Sequence, residues 1–98
     1  MNTKTKAMIL VLAIGGAALT GGSAANAVTR GAEGGTWSYG VGRLSTYSDY
    51  YHPRERHGST ARNGYGMTEK AWGISRGRWS HASVARTKTG NTAYFHRS

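Results

Sequence analysis

Histidine side chains are the first candidates for chemistry in this chain, because imidazole both binds metals and moves protons near neutral pH. His52 and His57 lie five positions apart around Pro53, and His81 and His96 fall much later in the chain. A zinc site needs three or four converging ligands, usually at closer spacings such as His-x3-His. The spacing predicts neither a metal site nor a cofactor, and it favours exposed or interface histidines.

Acid–base catalysis is the enzymatic alternative. A histidine pair acting with Lys70 could cleave RNA, and a small secreted basic protein is a reasonable form for a ribonuclease. The chain has no phosphate-binding loop and no carboxylate pair. The sequence therefore favours a protein that is not an enzyme, with a ribonuclease as the weaker hypothesis.

Arginine pairs give a clearer pattern. Arg54 and Arg56 flank Glu55, and Arg76 and Arg78 flank Gly77. The planar guanidinium group suits phosphate better than the point charge of lysine does. The alternative is a solvated surface with solubilising charge. We predict that target binding involves these arginines together with neighbouring ring side chains, namely Arg54, Arg56, Arg76, Arg78, Tyr50, Tyr51 and His52.

The N-terminal segment has the pattern of a secretory leader. Lys4 and Lys6 precede a thirteen-residue apolar run, 7–19, and Ala25-Asn26-Ala27 supplies a small-x-small cleavage signal. The run is shorter than the ~20 residues that a membrane-spanning helix needs. We predict a signal peptide over residues 1–27, present in the uncleaved chain as a detached helix, and an exported domain over residues 28–98.

The exported domain is strongly basic, since it keeps eleven of the thirteen Lys and Arg residues and all four acidic residues. Outside a Gram-positive cell, the abundant anions are wall polymers, lipid headgroups and the pyrophosphate of wall precursors. Each cation near such a surface contributes ~1 kcal/mol. No amphipathic helix follows the leader, so we expect contact with the membrane surface without insertion, and we expect no nucleic-acid partner.

The segments that position these residues have the sequence pattern of short strands. Alternating bulky and small residues predict strands over 36–41, 45–51, 59–62, 69–75, 79–86 and 92–97, with turns rich in Gly, Asn and Pro between them. Residues 28–34 are expected to fray. The pattern predicts an all-β sandwich or small barrel. Cysteine is absent and large aliphatic residues are few, so the core is expected to contain aromatic residues: Trp37, Tyr39, Trp72, Trp79 and Tyr94.

Several short motifs resemble the lactococcin 972 family of secreted bacteriocins. They are Gly35-Thr36-Trp37-Ser38-Tyr39-Gly40-Val41, Tyr47-Ser48-Asp49-Tyr50-Tyr51-His52 and His57-Gly58-Ser59-Thr60, continuing through Ala71-Trp72-Gly73 and Asn91-Thr92-Ala93-Tyr94-Phe95. The resemblance implies a small antiparallel β-sandwich of two three-stranded sheets, exported through a cleaved leader. It also implies binding of the cell-wall precursor lipid II and a block of septum formation instead of pore formation. One departure is the loop 53–56, which is more charged than the family's polar loop.

Two classes of function follow. The first is a secreted cationic bacteriocin that acts on related Gram-positive bacteria, with immunity and transport proteins of the producer as further partners. The alternative is a secreted protein that binds the cell envelope without killing. The oligomeric state is left open by the sequence.

Overall fold

The structure is a computed structural model that describes residues 6–14 and 26–97, which form eight β-strands. No helix long and apolar enough to cross a membrane occurs in these two ranges. The strands are β1 (Lys6–Ile14), β2 (Asn26–Ala32), β3 (Gly35–Val41), β4 (Ser45–Tyr51), β5 (His57–Arg62), β6 (Thr68–Ile74), β7 (Trp79–Ala85) and β8 (Asn91–Arg97).

Two antiparallel four-stranded sheets make up the fold. Sheet A has the order β1-β8-β5-β6, and sheet B has the order β2-β3-β4-β7. The six strands predicted from the sequence are β3 to β8, and their bounds agree with the prediction within two residues. These six strands form the two expected three-stranded sheets, β8-β5-β6 and β3-β4-β7. The predicted all-β antiparallel fold is therefore confirmed, and β1 and β2 each extend one sheet at its edge.

The prediction that residues 28–34 fray is wrong. Strand β2 pairs with β3 along its whole length, with Val28 opposite Tyr39 and Ala32 opposite Gly35. A turn at Glu33 and Gly34, whose φ angles are 51° and 88°, connects the two strands. Pairing with β3 satisfies backbone groups that would otherwise lie unpaired at the edge of the sheet, even though β2 has few residues of high strand propensity.

The expectation of a detached helix for the leader is also wrong. Lys6–Ile14 is a strand that pairs antiparallel with β8, with Lys6 opposite Arg97 and Ile14 opposite Asn91. An apolar run of this length suits a strand as well as a helix, and the edge of β8 offers unpaired backbone donors and acceptors. Lys4 and Ala25 lie outside the described residues, and removal of residues 1–27 stays a prediction.

An aromatic cluster holds the two sheets together. Trp37 and Tyr50 of sheet B pack against Phe95 of β8, with ring centroids 4.7 and 4.5 Å from that of Phe95. Tyr39 completes the cluster, and the side chains of all four residues are buried. The Trp37 indole also donates a hydrogen bond of 2.9 Å to Ser48 Oγ. The indole N–H, which is the only polar group of this ring, therefore has a hydrogen-bond partner inside the core.

Three residues predicted for the core lie elsewhere. Trp72 and Trp79 are 55% and 43% exposed on the outer faces of sheets A and B, and Tyr94 is only partly buried on the outer face of sheet A. For Trp79 the reason is the inner face of β7, where the buried residues are as small as Ser80 and Ala82. Ser80 Oγ lies 3.0 Å from Ser59 Oγ of the facing sheet, so no space for an indole remains there.

Candidate functional site: the arginine loops

Two loops carry the four predicted arginines, and they lie side by side at one end of the sandwich. The first, residues 52–56, connects β4 to β5, and the second, residues 75–78, connects β6 to β7. The backbone N–H of Gly77 donates a 2.7 Å hydrogen bond to the carbonyl of His52. Gly77 has a φ of 80°, which glycine adopts without strain. We call these two segments the arginine loops; the side chains of Arg54, Arg56, Arg76 and Arg78 are all exposed.

His52 lies beneath the first loop and is 1% exposed. Its Nδ1 atom accepts hydrogen bonds from the backbone N–H groups of Arg54 and Glu55, at 3.1 and 3.0 Å. Its Nε2 atom lies 3.1 Å from the carbonyl oxygen of Glu33 and donates to it. A ring that accepts at Nδ1 and donates at Nε2 is neutral. His52 therefore anchors the loop from within, and its side chain has no surface for the predicted contact with a target.

His57 is fully buried and joins the two arginine loops. Its Nδ1 and Nε2 atoms lie 2.8 Å from the carbonyl oxygen of Glu55 and 2.7 Å from that of Arg78. Carbonyl oxygens only accept, so both hydrogen bonds form together only when the ring is doubly protonated. The expectation that the histidines are exposed is therefore wrong for His52 and His57.

The buried histidines do not form a catalytic pair. The ring centroids of His52 and His57 are 6.4 Å apart, but every ring nitrogen is engaged with the backbone. His96 packs edge-on against Trp72, and burial together with the nearby charge of His57 lowers the pKa of its imidazole. Among the described residues, no group of three potential metal ligands converges.

Arg97 engages the two acidic residues nearest to the arginine loops. Its Nε atom lies 2.8 Å from Glu33 Oε1, and its Nη1 atom lies 3.2 Å from the carboxylate of Glu55. The hydrogen bond with Glu33 raises the pKa of the Arg97 guanidinium group, against the opposing effect of burial. Within residues 26–97, the ion pairs involve Arg97 and His81 only. The four arginines of the loops therefore point positive charge outward without a carboxylate partner in that range.

The two tyrosines predicted for target binding have different positions. Tyr50 is fully buried, and its hydroxyl donates a 2.8 Å hydrogen bond to the carbonyl of Ala32. Burial raises the pKa of this hydroxyl to about 12. Contrary to the prediction, Tyr50 has no surface to offer a target. Tyr51 is partly exposed on the outer face of sheet B, where its ring centroid lies 5.5 Å from that of Trp79.

The opposite end of the sandwich is also basic but differs in arrangement. Arg43, Arg62 and Lys88 are exposed there, one on each of three separate segments. Arg86 at that end is partly buried and donates a 3.2 Å hydrogen bond to the carbonyl of Gly42. Only the arginine loops combine two closely spaced pairs on hydrogen-bonded segments. The opposite end therefore supplies charge-matched control positions.

Sequence reasoning missed the residues that support the loops. Nothing in the sequence indicated that Arg97 reaches Glu33 and Glu55, because these contacts join distant parts of the chain. Gly34 is the exception, because a glycine in the sequence can mark a position where other side chains approach the backbone closely. A Cβ atom there would lie 3.0 Å from Arg54 Nη2 and 3.3 Å from His52 Nε2, so the close approach of both side chains requires glycine.

A comparison with protein families identifies the family to which this chain belongs. The family model described as Bacteriocin (Lactococcin_972) matches residues 33–95, which include both arginine loops and all or most of each of the strands β3 to β8. The chain belongs to the lactococcin 972 bacteriocin family. No curated protein and no solved structure gave a match. The matched region begins at Glu33, one of the two acidic residues that Arg97 engages.

Proposed function

We propose that this lactococcin 972 family member is a secreted antibacterial protein whose arginine loops bind the pyrophosphate of lipid II, so that peptidoglycan synthesis at the septum is blocked. The observation that carries the proposal is the hydrogen bond from Gly77 to His52, which brings two exposed arginine pairs together. The target species are related Gram-positive bacteria.

The chemistry of the loops suits a pyrophosphate. Each guanidinium group can form two parallel hydrogen bonds with phosphate oxygens, and a pyrophosphate presents two adjacent phosphates. The loops that carry these groups are fixed from within by His52 and His57. A backbone that is already ordered costs less entropy when a ligand binds, so this support favours affinity.

The overall charge supports capture at the membrane surface, where the headgroup of lipid II lies. The exported domain, residues 28–98, has eleven Lys and Arg residues against four acidic residues, a formal net charge of +7, and each cation near an anionic surface contributes ~1 kcal/mol. General attraction of this kind does not distinguish lipid II from other anionic lipids. Specific recognition therefore depends on the geometry of the guanidinium groups as well as on their charge.

The test is binding of the purified protein to vesicles with and without lipid II, at matched negative charge. Arg76→Lys combined with Arg78→Lys keeps the net charge but removes the planar forks, so we expect about a tenfold loss of binding to lipid II vesicles. Arg43→Lys combined with Arg62→Lys makes the same chemical change at the opposite end and should leave binding unchanged. Equal binding of the unaltered protein to both kinds of vesicle would remove lipid II as the specific target.

Growth inhibition distinguishes the bacteriocin from an envelope-binding protein that does not kill. We expect the purified protein to inhibit growth of Gram-positive indicator bacteria, and the Arg76/Arg78 variant to lose this activity in proportion to its loss of binding. Binding to lipid II without any inhibition would favour the alternative function.

A further inference from the structure

The outer face of sheet B differs in chemistry from the rest of this cationic molecule. Three of its four strands, β3, β4 and β7, carry no Lys or Arg at an outward-facing position, although the chain has thirteen such residues. The outward positions instead carry rings, hydroxyl groups, small residues and one carboxylate. We call this surface the aromatic face and define it by Ser38, Tyr47, Asp49, Tyr51, Trp79 and His81.

Three rings of the aromatic face form a continuous row. Tyr51 lies directly opposite Trp79 across the β4–β7 pair, with ring centroids 5.5 Å apart. Trp79 and His81 follow each other on β7, with centroids 6.3 Å apart and planes inclined by only 15°. Trp79 is 43% exposed, and the side chain of His81 is 68% exposed. The planes of Tyr51 and Trp79 are inclined by 41°, so the row offers accessible rings but not a single flat surface.

Polar groups run beside the rings. Asp49 lies directly opposite His81, and its Oδ1 atom is 3.1 Å from His81 Nδ1. Among the described residues, the Oδ2 atom of Asp49 has no hydrogen-bond partner. Ser38 lies opposite Asp49 on the next strand, and its Oγ accepts a 3.1 Å hydrogen bond from Thr29 Oγ1. A carboxylate oxygen and hydroxyl groups thus stand next to the ring row.

We propose that the aromatic face binds an uncharged carbohydrate chain. The flat C–H face of a sugar ring packs against exposed aromatic rings, while its hydroxyl groups donate to a carboxylate such as Asp49. The missing cations disfavour a polyanion or an anionic lipid surface as the occupant. The proposal is independent of lipid II recognition, because it involves none of the four arginines.

Titration of the full chain with uncharged oligosaccharides, followed by backbone amide NMR, tests this inference. Chitotetraose, cellotetraose and maltotetraose serve as probes, and at least one of them should shift amide signals of β4 and β7. Trp79→Ala should weaken binding about tenfold, and Trp79→Tyr, which keeps a flat ring, should restore part of it. Asp49→Asn should also weaken binding, because an amide is a poorer acceptor than a carboxylate.

Trp72→Ala is the matched control, since it removes an equally exposed indole from the other sheet and should leave binding unchanged. The inference is overturned if none of the three oligosaccharides binds, or if binding survives both Trp79→Ala and Asp49→Asn. Self-association that Trp79→Ala abolishes, without any oligosaccharide binding, would identify the occupant as a second copy of the chain. The oligosaccharide probes carry no pyrophosphate, so they do not test the arginine loops, and the two proposals fail separately.

Discussion

At the scale of single residues, buried polar side chains determine how the arginine loops are held. His52 and His57 are fully enclosed, yet each ring nitrogen bonds to the backbone of a loop or turn. Buried polar groups are tolerated when they are hydrogen-bonded, and these bonds also fix the backbone that presents the arginines. The histidines therefore act on the surface chemistry indirectly, through loop structure.

Replacing His52 tests this role. His52→Ala removes the acceptor of two backbone N–H groups and the donor to Glu33, so we expect the free energy of unfolding to fall by about 2–4 kcal/mol. His81→Ala is the control, because His81 is exposed and should cost less than about 1 kcal/mol. Urea denaturation of both variants measures the difference. Equal losses for the two histidines would contradict the anchoring role.

Because of the buried Tyr50 hydroxyl, the stability of the folded protein depends on pH under alkaline conditions. Its hydroxyl has a pKa raised from 10.0 to about 12, so the folded protein holds this proton more tightly than the unfolded chain does. The resulting stability is fully present below pH 10 and is lost as the pH rises toward about 12.

Tyr50→Phe removes the ionisable hydroxyl. We expect it to cost about 1 kcal/mol at neutral pH, because the carbonyl of Ala32 loses its hydrogen bond. The stability difference between the unaltered protein and the variant should then shrink between pH 10 and 12, as measured by thermal unfolding. A difference that stays constant over this range would show that the hydroxyl does not titrate as described.

At the scale of strands, the alternation of bulky and small residues and the turn residues were enough to predict the six strands β3 to β8. They did not show which face of a strand points inward. Trp72 shares its face with Lys70, whose ammonium group lies 4.7 Å from the indole ring centroid, and Trp79 shares its face with His81. Both neighbours are polar, which indicates an outward face, but the size of the indole had suggested burial. The edge strands β1 and β2 were missed because pairing with β8 and β3, and not local propensity, gives them their structure.

The consequence for stability is a clear ranking of the tryptophans. Trp37 packs against Tyr39 and Phe95 and is 2% exposed, so Trp37→Ala should cost about 3–5 kcal/mol and unfold a domain of small stability. Trp72→Ala should cost less than about 1.5 kcal/mol, because about half of that side chain is already in water. Chemical denaturation of both variants measures the ranking. A stable Trp37→Ala variant would contradict the assignment of the core.

At the scale of the whole molecule, chain topology brings the two arginine pairs together. Strands β4 and β6 both run toward the same end of the sandwich, so the segments that follow them become neighbours. The sequence predicted that both segments are turns and that their arginines bind a target, but it contained no information on their proximity. The same topology places Arg43 and Arg62 at the opposite end, and it separates the aromatic face, which carries no Lys or Arg, from both basic ends.

The most direct test of the central claim is to map where lipid II contacts the protein. Backbone amide NMR spectra would be compared in charge-matched nanodiscs with and without lipid II. We expect lipid II to shift the amide signals of residues 52–56 and 75–78, and to leave those around Arg43 and Arg62 unchanged. Identical spectra in the two kinds of nanodisc, or shifts confined to the opposite end, would contradict recognition of lipid II by the arginine loops.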